Sequence, residues 1–297
     1  KANKLGIYVS VQFFDGWCMR FATKESNPWP SHPYNISNNI NGVNADPYNT
    51  GKPLLFVLDF PQVVEYQKAF IRKTIDTLND LDNVLWEIIN EAAMPEHFAK
   101  IDKWHNHMIS YVKEYEATKP KQHPVCKSAA AAGMGNNHLF VSDADWITVE
   151  NNIMNDYRYN PPEADGRKIV VADTDHIWGH GGTYNWAWKI FLSGMHPIFM
   201  DPWRPVPGRT IPGYPGTAKL NTKDYIEWER LRKNLGYILS YAQRINLNYC
   251  VPRKDLAYGH YCLAWEGEQY IAYIPEDCQL SLNMSYGEGE YEVEWFS

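Results

Sequence analysis

The stretch NVLWEIINEA, residues 83–92, decides how the fold is interpreted. It is a nearly continuous apolar run that carries two carboxylates, Glu87 and Glu91, and it ends in Asn-Glu. Such runs are typical of strands buried on both faces of a parallel sheet. In a parallel barrel the chemistry sits at the carboxyl ends of the strands. We therefore expect Glu91 to end a buried strand at the mouth of a barrel, and Glu87, deeper on the same face, to make an internal hydrogen bond.

The segments around this strand alternate between strand and helix patterns, which predicts a parallel β/α architecture. The strand candidates are LGIYVSVQFF (5–14), HPVCKS (123–128), DWITVE (145–150), KIVVADTD (168–175) and HPIFMDPW (196–203). The helix candidates are residues 62–80, 97–117 and 223–245. A doubly wound sheet would need a glycine-rich phosphate turn after its first strand. Neither FFDGW nor GHGG has the GxGxxG or GxxxxGK(S/T) spacing of such a turn. The sequence therefore predicts a (β/α)8 TIM-type barrel domain over 1–248.

The sequence pattern changes after residue 248. Short strand patterns, LAYGHYCLAW, QYIAYIP, QLSLNM and YEVEWF, are separated there by Gly, Glu and Asp. This predicts a small antiparallel β domain over 249–297.

Composition limits the partners. The net charge of −7 without a Lys or Arg run argues against nucleic acid or an anionic membrane surface. The apolar stretches are far shorter than the ~20 residues of a membrane-spanning helix. Five widely spaced cysteines without CxxC argue against a zinc ribbon, and we expect no cofactor. The chain has 12 Trp and 20 Tyr residues. We expect most of them in the core, although a surplus of Trp around a cleft is also what sugar rings stack on.

Polar residues cluster at the predicted strand ends, which favours the barrel. They are Asp15, Asn90, Glu91, Glu150, Asp173, Asp175 and Asp201. At about 30 residues per β/α unit, the spacing from Glu91 to Asp173 is close to three units. Two carboxylates facing each other across a barrel mouth are the machinery of glycoside hydrolysis, in which one protonates the leaving oxygen and the other attacks or activates water.

The segment LWEIINEA resembles the fourth-strand signature of the clan A retaining glycoside hydrolases with (β/α)8 barrels, of which family 5 is the best known. KIVVADTDHIWG resembles the seventh-strand segment that holds the nucleophile in that clan. HPYNISNNING, HPIFMDPW and the ending YEVEWF are similar to patterns of cellulase-like and apiosidase-like barrels. The resemblance covers most of the chain.

This resemblance implies a glycosidase acting on a poly- or oligosaccharide, with a secreted or periplasmic location, although Lys1 begins no signal-peptide pattern. It makes Glu91 the general acid/base and Asp173, or secondarily Asp175, the nucleophile or base. The expected sugar-binding residues are Asp15, Trp17, His32, Asn90, Glu150, His176, Trp178, Asp201 and Trp203.

Two departures from the family pattern matter. The nucleophile position holds Asp in place of Glu, and a shorter side chain widens the carboxylate gap. An inverting mechanism, which needs ~6.5–9.5 Å in place of ~5–5.5 Å, therefore stays open. The start of the chain also matches the end of a second helix followed by a third strand, so the barrel is expected to be incomplete at its N-terminus. Exposed sheet edges would then predict either a homo-oligomer contacting through residues near 5–14 and 196–203 or a local rearrangement that closes the sheet, and the C-terminal β unit could also shield part of the gap.

Other interpretations of the same residues stay open. The chain could be a non-catalytic carbohydrate-binding barrel. It could also be a metal-dependent hydrolase using Asp173, Asp175 and His176, since D-x-D-H supplies suitable ligands. Glu91 could be a structural ion-pair carboxylate, and each of the three Trp residues is as compatible with core packing as with sugar stacking.

Overall fold

The structure is a computed structural model. It describes residues 1–20, 27–51, 53–92, 94–130, 133–179, 181–201, 222–275, 279–285 and 287–296. The chain divides into two compact units, Lys1–Glu150 and Asn151–Ser297. Within the described residues, no helix is long and apolar enough to cross a membrane.

In its described residues, the first unit contains four parallel strands that pair in chain order. They are β1 (Val9–Asp15), β2 (Val84–Asn90), β3 (Val125–Lys127) and β4 (Trp146–Thr148). The helices of this unit are α1 (Trp17–Arg20), α2 (Pro61–Leu78), α3 (Phe98–Glu116) and α4 (Asn137–Phe140). Asp15 is the register partner of Asn90, so β1 and β2 end at the same level of the sheet.

Helices α2 and α3 of the first unit are held together by buried polar contacts as well as by apolar packing. The side chain of Gln67, which is fully buried on α2, accepts a hydrogen bond from the Trp104 indole of α3 at 2.9 Å. Its amide nitrogen donates to the Leu55 carbonyl at 2.8 Å. Because both ends of this amide are paired, it can be buried without a penalty for an unsatisfied polar group, and it fixes both helices against the segment that precedes α2.

The described part of the second unit contains two parallel strands and a small antiparallel sheet. The parallel pair is β5 (Ile169–Asp173) and β6 (His196–Ile198), and the sheet is β7 (Val251–Pro252), β8 (Tyr261–Trp265) and β9 (Gln269–Tyr273). The helices are α5 (Thr174–Ile177), α6 (Tyr184–Leu192) and α7 (Thr222–Ala242). Trp188 on α6 stacks on Tyr273 of β9 with ring centroids 6.0 Å apart, which packs the antiparallel sheet onto this helix.

This element order fits the predicted incomplete α/β barrel followed by a small antiparallel β unit. The helices predicted over 62–80, 97–117 and 223–245 are confirmed with small differences at their ends. The predicted division of the chain between 248 and 249 stays a prediction.

Several predicted strands differ from the observed ones. The strand predicted from residue 5 begins at Val9, because Asn3–Leu5 form a 3-10 helix that ends at Gly6 with φ 69°. The strand predicted over 168–175 stops at Asp173, whose side chain caps α5. QLSLNM and YEVEWF form no strand in their described residues. Helix α6 had not been predicted, since its nine residues are apolar on most sides and show little helical period.

Candidate functional site

Glu91 follows the last residue of β2 and has an unusual backbone conformation. Its φ is 48°, in the left-handed region, and its side chain is only 3% exposed. Two other described non-glycine residues share this conformation, Asn49 and Tyr258, and both lie on the surface. Holding a non-glycine residue there costs roughly 1–3 kcal/mol, and such strain concentrates at functional sites. The structure therefore places a buried acid in a strained turn at the end of a parallel strand, as expected of a functional carboxylate.

The loop after β1 lies directly against this turn. The Gly16 N–H donates to the Asn90 carbonyl at 2.8 Å. A Cβ at position 16 would lie 2.5 Å from the Cα of Ala92, so only glycine fits this close approach. The contact brings Asp15 and Trp17, both predicted to bind sugar, beside Asn90 and Glu91.

Asp15 is held by a hydrogen bond, whereas Trp17 is open to solvent. The Asp15 carboxylate accepts a hydrogen bond from the Trp17 backbone N–H at 3.0 Å. Trp17 is 45% exposed. An indole half open to solvent beside a strand end can act as a stacking surface for a sugar ring.

Glu150 lies beyond the end of β4 and is tightly held. The buried Asn136 side chain accepts from the Glu150 N–H at 3.0 Å and donates to the Glu150 carbonyl at 2.9 Å. The Gly135 N–H donates to the Glu150 carboxylate at 2.9 Å. The amide of Asn136 thus pairs with Glu150 as a neighbouring strand would. Asn136 was not predicted, and no local pattern in the sequence marks it.

Glu87 makes the internal contact that was expected of it. Its carboxylate is buried and accepts a hydrogen bond from the Ser10 hydroxyl at 3.2 Å. Burial, and secondarily the Glu87 charge, raise the pKa of the Cys126 thiol well above its usual value. Cys126 therefore stays protonated, and we assign neither residue to the chemistry.

The second unit carries Asp173 at the end of β5. Its carboxylate accepts a hydrogen bond from the Asp175 N–H at 2.9 Å and thereby caps α5. Burial raises the pKa of Asp173, and the neighbouring Asp175 charge raises it further. The bond from Asp175 N–H and the nearby His176 partly oppose that rise. Three predicted site residues thus occupy one helical turn, on which Asp173 already has a structural role.

The other predicted residues of the second unit are occupied by packing or ion pairs. Trp178 contacts Tyr159 edge-on at 5.4 Å, and the Arg158 guanidinium lies 4.9 Å from its ring centre. The Asp201 carboxylate accepts two hydrogen bonds from one edge of the Arg232 guanidinium, from Nε at 2.7 Å and from Nη2 at 2.5 Å. Trp203 lies outside the described residues.

His32, in the long Asn-rich loop of the first unit, lines a cleft together with Asp15. Tyr34 and Cys18 also line this cleft, which has a volume of about 280 Å³. Neither was singled out from the sequence, although the aromatic run NPWPSHPY was a usable signal for Tyr34.

Comparisons with known proteins add little to this geometry. No family model matches the chain, and no curated protein matches it. Among solved structures, the chain is similar to a glycoside hydrolase family 5 protein from Bacteroides vulgatus ATCC 8482, with a TM-score of 0.38 and 12% sequence identity. The similarity covers 67% of this chain and 51% of that chain, so the chain spans about half the length of that protein. A similarity at this level carries no argument about the activity of the chain.

Proposed function

We propose that this chain is a glycoside hydrolase that cleaves O-glycosidic bonds of a poly- or oligosaccharide with two carboxylates. The observation that carries the proposal is Glu91, a strained and 3% exposed acid at the carboxyl end of a parallel strand. Burial of a carboxyl group favours its protonated form, which is the form a general acid needs. Glu91 is assigned as the general acid/base, and Asn90 beside it as a sugar ligand.

Asp173 is proposed as the nucleophile or general base, with Asp175 as the second choice. Asp173 ends a parallel strand of its own unit, which is where functional side chains collect in β/α folds. His176, Trp178 and the exposed Trp17 are proposed to bind the sugar. Among the described residues, the buried indole N–H of Trp178 has no hydrogen-bond partner.

A glycan screen with product detection tests the reaction class. Plant and microbial poly- and oligosaccharides are incubated with the wild type and with Glu91→Gln, and the new reducing ends are measured. Loss of general acid/base catalysis should lower turnover by about 10²–10⁴-fold. Glu96→Gln, an exposed neighbour, is the matched control and should retain activity. Near-normal hydrolysis by a folded Glu91→Gln variant would contradict the assignment.

The stereochemistry of the product then distinguishes the two roles of the second carboxylate. Proton NMR of the first sugar released shows whether the anomeric configuration is retained or inverted, and this reports whether a carboxylate or a water attacks. Asp173→Asn and Asp175→Asn, compared on the same substrate, identify which aspartate acts. Loss of wild-type activity in a chelator would instead favour metal-dependent hydrolysis.

A non-catalytic carbohydrate-binding protein is the second candidate. It is favoured by the capping bond of Asp173, which gives that carboxylate a structural reason to be present. Half-exposed Trp17 would serve binding equally well. If the chain binds glycans but releases no product from any of them, the non-catalytic binding function is favoured.

A further inference from the structure

The cleft beside the end of β1 has an apolar floor and a polar rim. Buried side chains of Phe13, Met19, Leu55 and Phe56 form the floor. Partly or fully exposed residues form the rim, namely Phe14, Asp15, Cys18, Pro28, His32 and Tyr34. Small-molecule sites are concave and mostly apolar, with a few convergent polar groups that fix orientation. A pyranose ring has the matching character, since its ring faces are apolar and its edge carries hydroxyls.

The wall of the cleft on the His32 side is a braced loop. Asn35 accepts a hydrogen bond from the Ser37 N–H at 3.0 Å and donates to the Trp29 carbonyl at 3.2 Å. The Asn39 side chain donates to the carbonyls of Pro33, Asn35 and Val43 at 2.9–3.0 Å and accepts from the Val43 N–H at 2.9 Å. Long loops without regular structure are commonly functional. In this loop, asparagine side chains form the hydrogen bonds to the backbone that a helix or sheet would otherwise supply, so the wall is preorganised.

The hydrogen-bonding state of the rim follows from its contacts. The Tyr34 N–H donates to His32 Nδ1 at 3.1 Å, so the proton of the neutral ring is on Nε2. Burial lowers the pKa of His32 and raises the pKa of Tyr34. At neutral pH both therefore present uncharged groups, an imidazole N–H and a phenolic hydroxyl. The Asp15 carboxylate, which also lines the cleft, is a strong acceptor for hydroxyl donors.

The charges of the rim distinguish between classes of sugar. None of the described residues that line the cleft is Lys or Arg, and Asp15 carries its one carboxylate. A uronic acid, sulfate or phosphate group placed there would meet a like charge with no counter-charge from these residues, which is unfavourable in a partly desolvated site. A neutral sugar meets only uncharged donors and one acceptor.

We propose that this cleft is a binding subsite for a neutral sugar unit and that it discriminates against acidic sugars. This inference rests on the proposed function, because it gives that function its substrate class. The bond from the Gly16 N–H to the Asn90 carbonyl joins Asp15 of the cleft to the Glu91 turn, so a sugar bound in the cleft would lie next to the proposed acid.

The test is binding, measured by calorimetry on the full chain carrying Glu91→Gln, which prevents turnover. The probes are neutral disaccharides (cellobiose, xylobiose and mannobiose) and cellobiouronic acid, the carboxylate counterpart of cellobiose. At least one neutral probe should bind, and cellobiose should bind about tenfold tighter than cellobiouronic acid. Tyr34→Phe keeps the ring and removes the hydroxyl, and should weaken binding of the neutral probe by about 5–10-fold. Tyr48→Phe, in the same loop and 85% exposed, is the matched control.

Asp15→Asn tests the discrimination itself. The amide oxygen can still accept from the Trp17 N–H, but the charge is gone, so the preference for the neutral over the acidic disaccharide should shrink. Equal or tighter binding of the acidic probe to the unsubstituted cleft would overturn the proposal, as would no binding of any neutral probe or no effect of Tyr34→Phe. If the Tyr34→Phe and Asp15→Asn variants change binding as expected but the wild type hydrolyses no glycan, the proposed activity is wrong and the subsite stands. If the wild type hydrolyses a glycan and substitutions at Tyr34 and Asp15 leave the rate unchanged, the subsite is wrong and the proposed activity stands.

Discussion

At the scale of single residues, burial decides the behaviour of Asp173. Burial raises its pKa above that of an exposed aspartate. The unfolded chain therefore loses this proton at a lower pH than the folded chain does, and stability falls as pH rises through that interval. Asp173→Asn keeps an oxygen for the Asp175 N–H and removes the buried charge. We expect its melting temperature to exceed that of the wild type at pH 7, while hydrolytic activity is lost.

The pH dependence of the melting temperature distinguishes removal of the Asp173 charge from a general stabilisation by the substitution. The gain from Asp173→Asn should disappear as the pH falls below the ordinary aspartate range, where both states of the wild type are protonated. Asp143→Asn, at an exposed position, should show no such trend. A Tm of Asp173→Asn at or below that of the wild type at pH 7 would contradict the charge-burial account.

One buried and one partly buried histidine, His105 and His138, predict an opposite dependence in the first unit. Burial, and secondarily the Lys127 charge, lower the pKa of His138 from 6.5 to about 4, and burial lowers that of His105 well below its usual value. Both groups favour folding while neutral, so their contribution is complete above pH 6.5 and falls as the pH drops below that value, with the contribution of His138 lost towards pH 4. At about 1.4 kcal/mol per pKa unit, His138 alone contributes of the order of 3 kcal/mol.

Urea unfolding at pH 7 and pH 4.5 measures this contribution. His138→Gln should lose less stability between the two values than the wild type does, because glutamine cannot take up a proton. His97→Gln is the control in a neighbouring turn and should behave as the wild type. Equal losses in His138→Gln and the wild type would assign the acid sensitivity to other groups.

At the scale of elements, Glu116 at the end of α3 joins three segments of the first unit. Its carboxylate, which is 1% exposed, accepts from Asn79 after α2 at 3.0 Å and from the Trp86 indole of β2 at 2.9 Å. It also accepts from the His123 N–H at 2.8 Å and contacts His123 Nδ1 at 2.6 Å. Removing one partner from such a buried charged network costs about 3–5 kcal/mol.

We therefore expect Glu116→Ala to lower the free energy of unfolding by about that amount, as measured by urea titration. Glu114→Ala, on the exposed side of the same helix, should change it by less than about 0.5 kcal/mol. Similar values for the two variants would show that the network does not stabilise the helix.

The sequence predicted the elements whose pattern is local. Periodicity located α2 and α3 within a residue or two, and the apolar run located β2. The local pattern does not contain the contacts that complete the candidate site. The fit of Gly16 against Ala92, and the pairing of Asn136 with Glu150, join residues far apart in the chain. The left-handed turn at Glu91 is likewise imposed by its surroundings, because local preference disfavours it.

At the scale of the whole molecule, the free edge of β1 is the feature with the clearest consequence. Among the described strands β1 pairs with β2 alone. The segment leading into it exposes Leu5, Ile7 and Tyr8 by 67%, 51% and 66%. An unpaired edge with apolar side chains beside it is a template for association. We expect the chain to form a homo-oligomer through this edge.

Light scattering coupled to gel filtration at micromolar concentrations tests the prediction, with the mass expected to exceed that of one chain. Leu5→Lys with Ile7→Lys should shift the mass towards the monomer, because charged side chains in the segment beside the edge strand oppose association with a second copy. Val141→Lys, at a 70% exposed position of the same unit, introduces a lysine elsewhere and should leave the mass unchanged. A monomeric wild type rules out self-association. An oligomer that survives the double substitution would place the contact at another surface, such as the predicted segment 196–203, where Ile198 of β6 is 47% exposed.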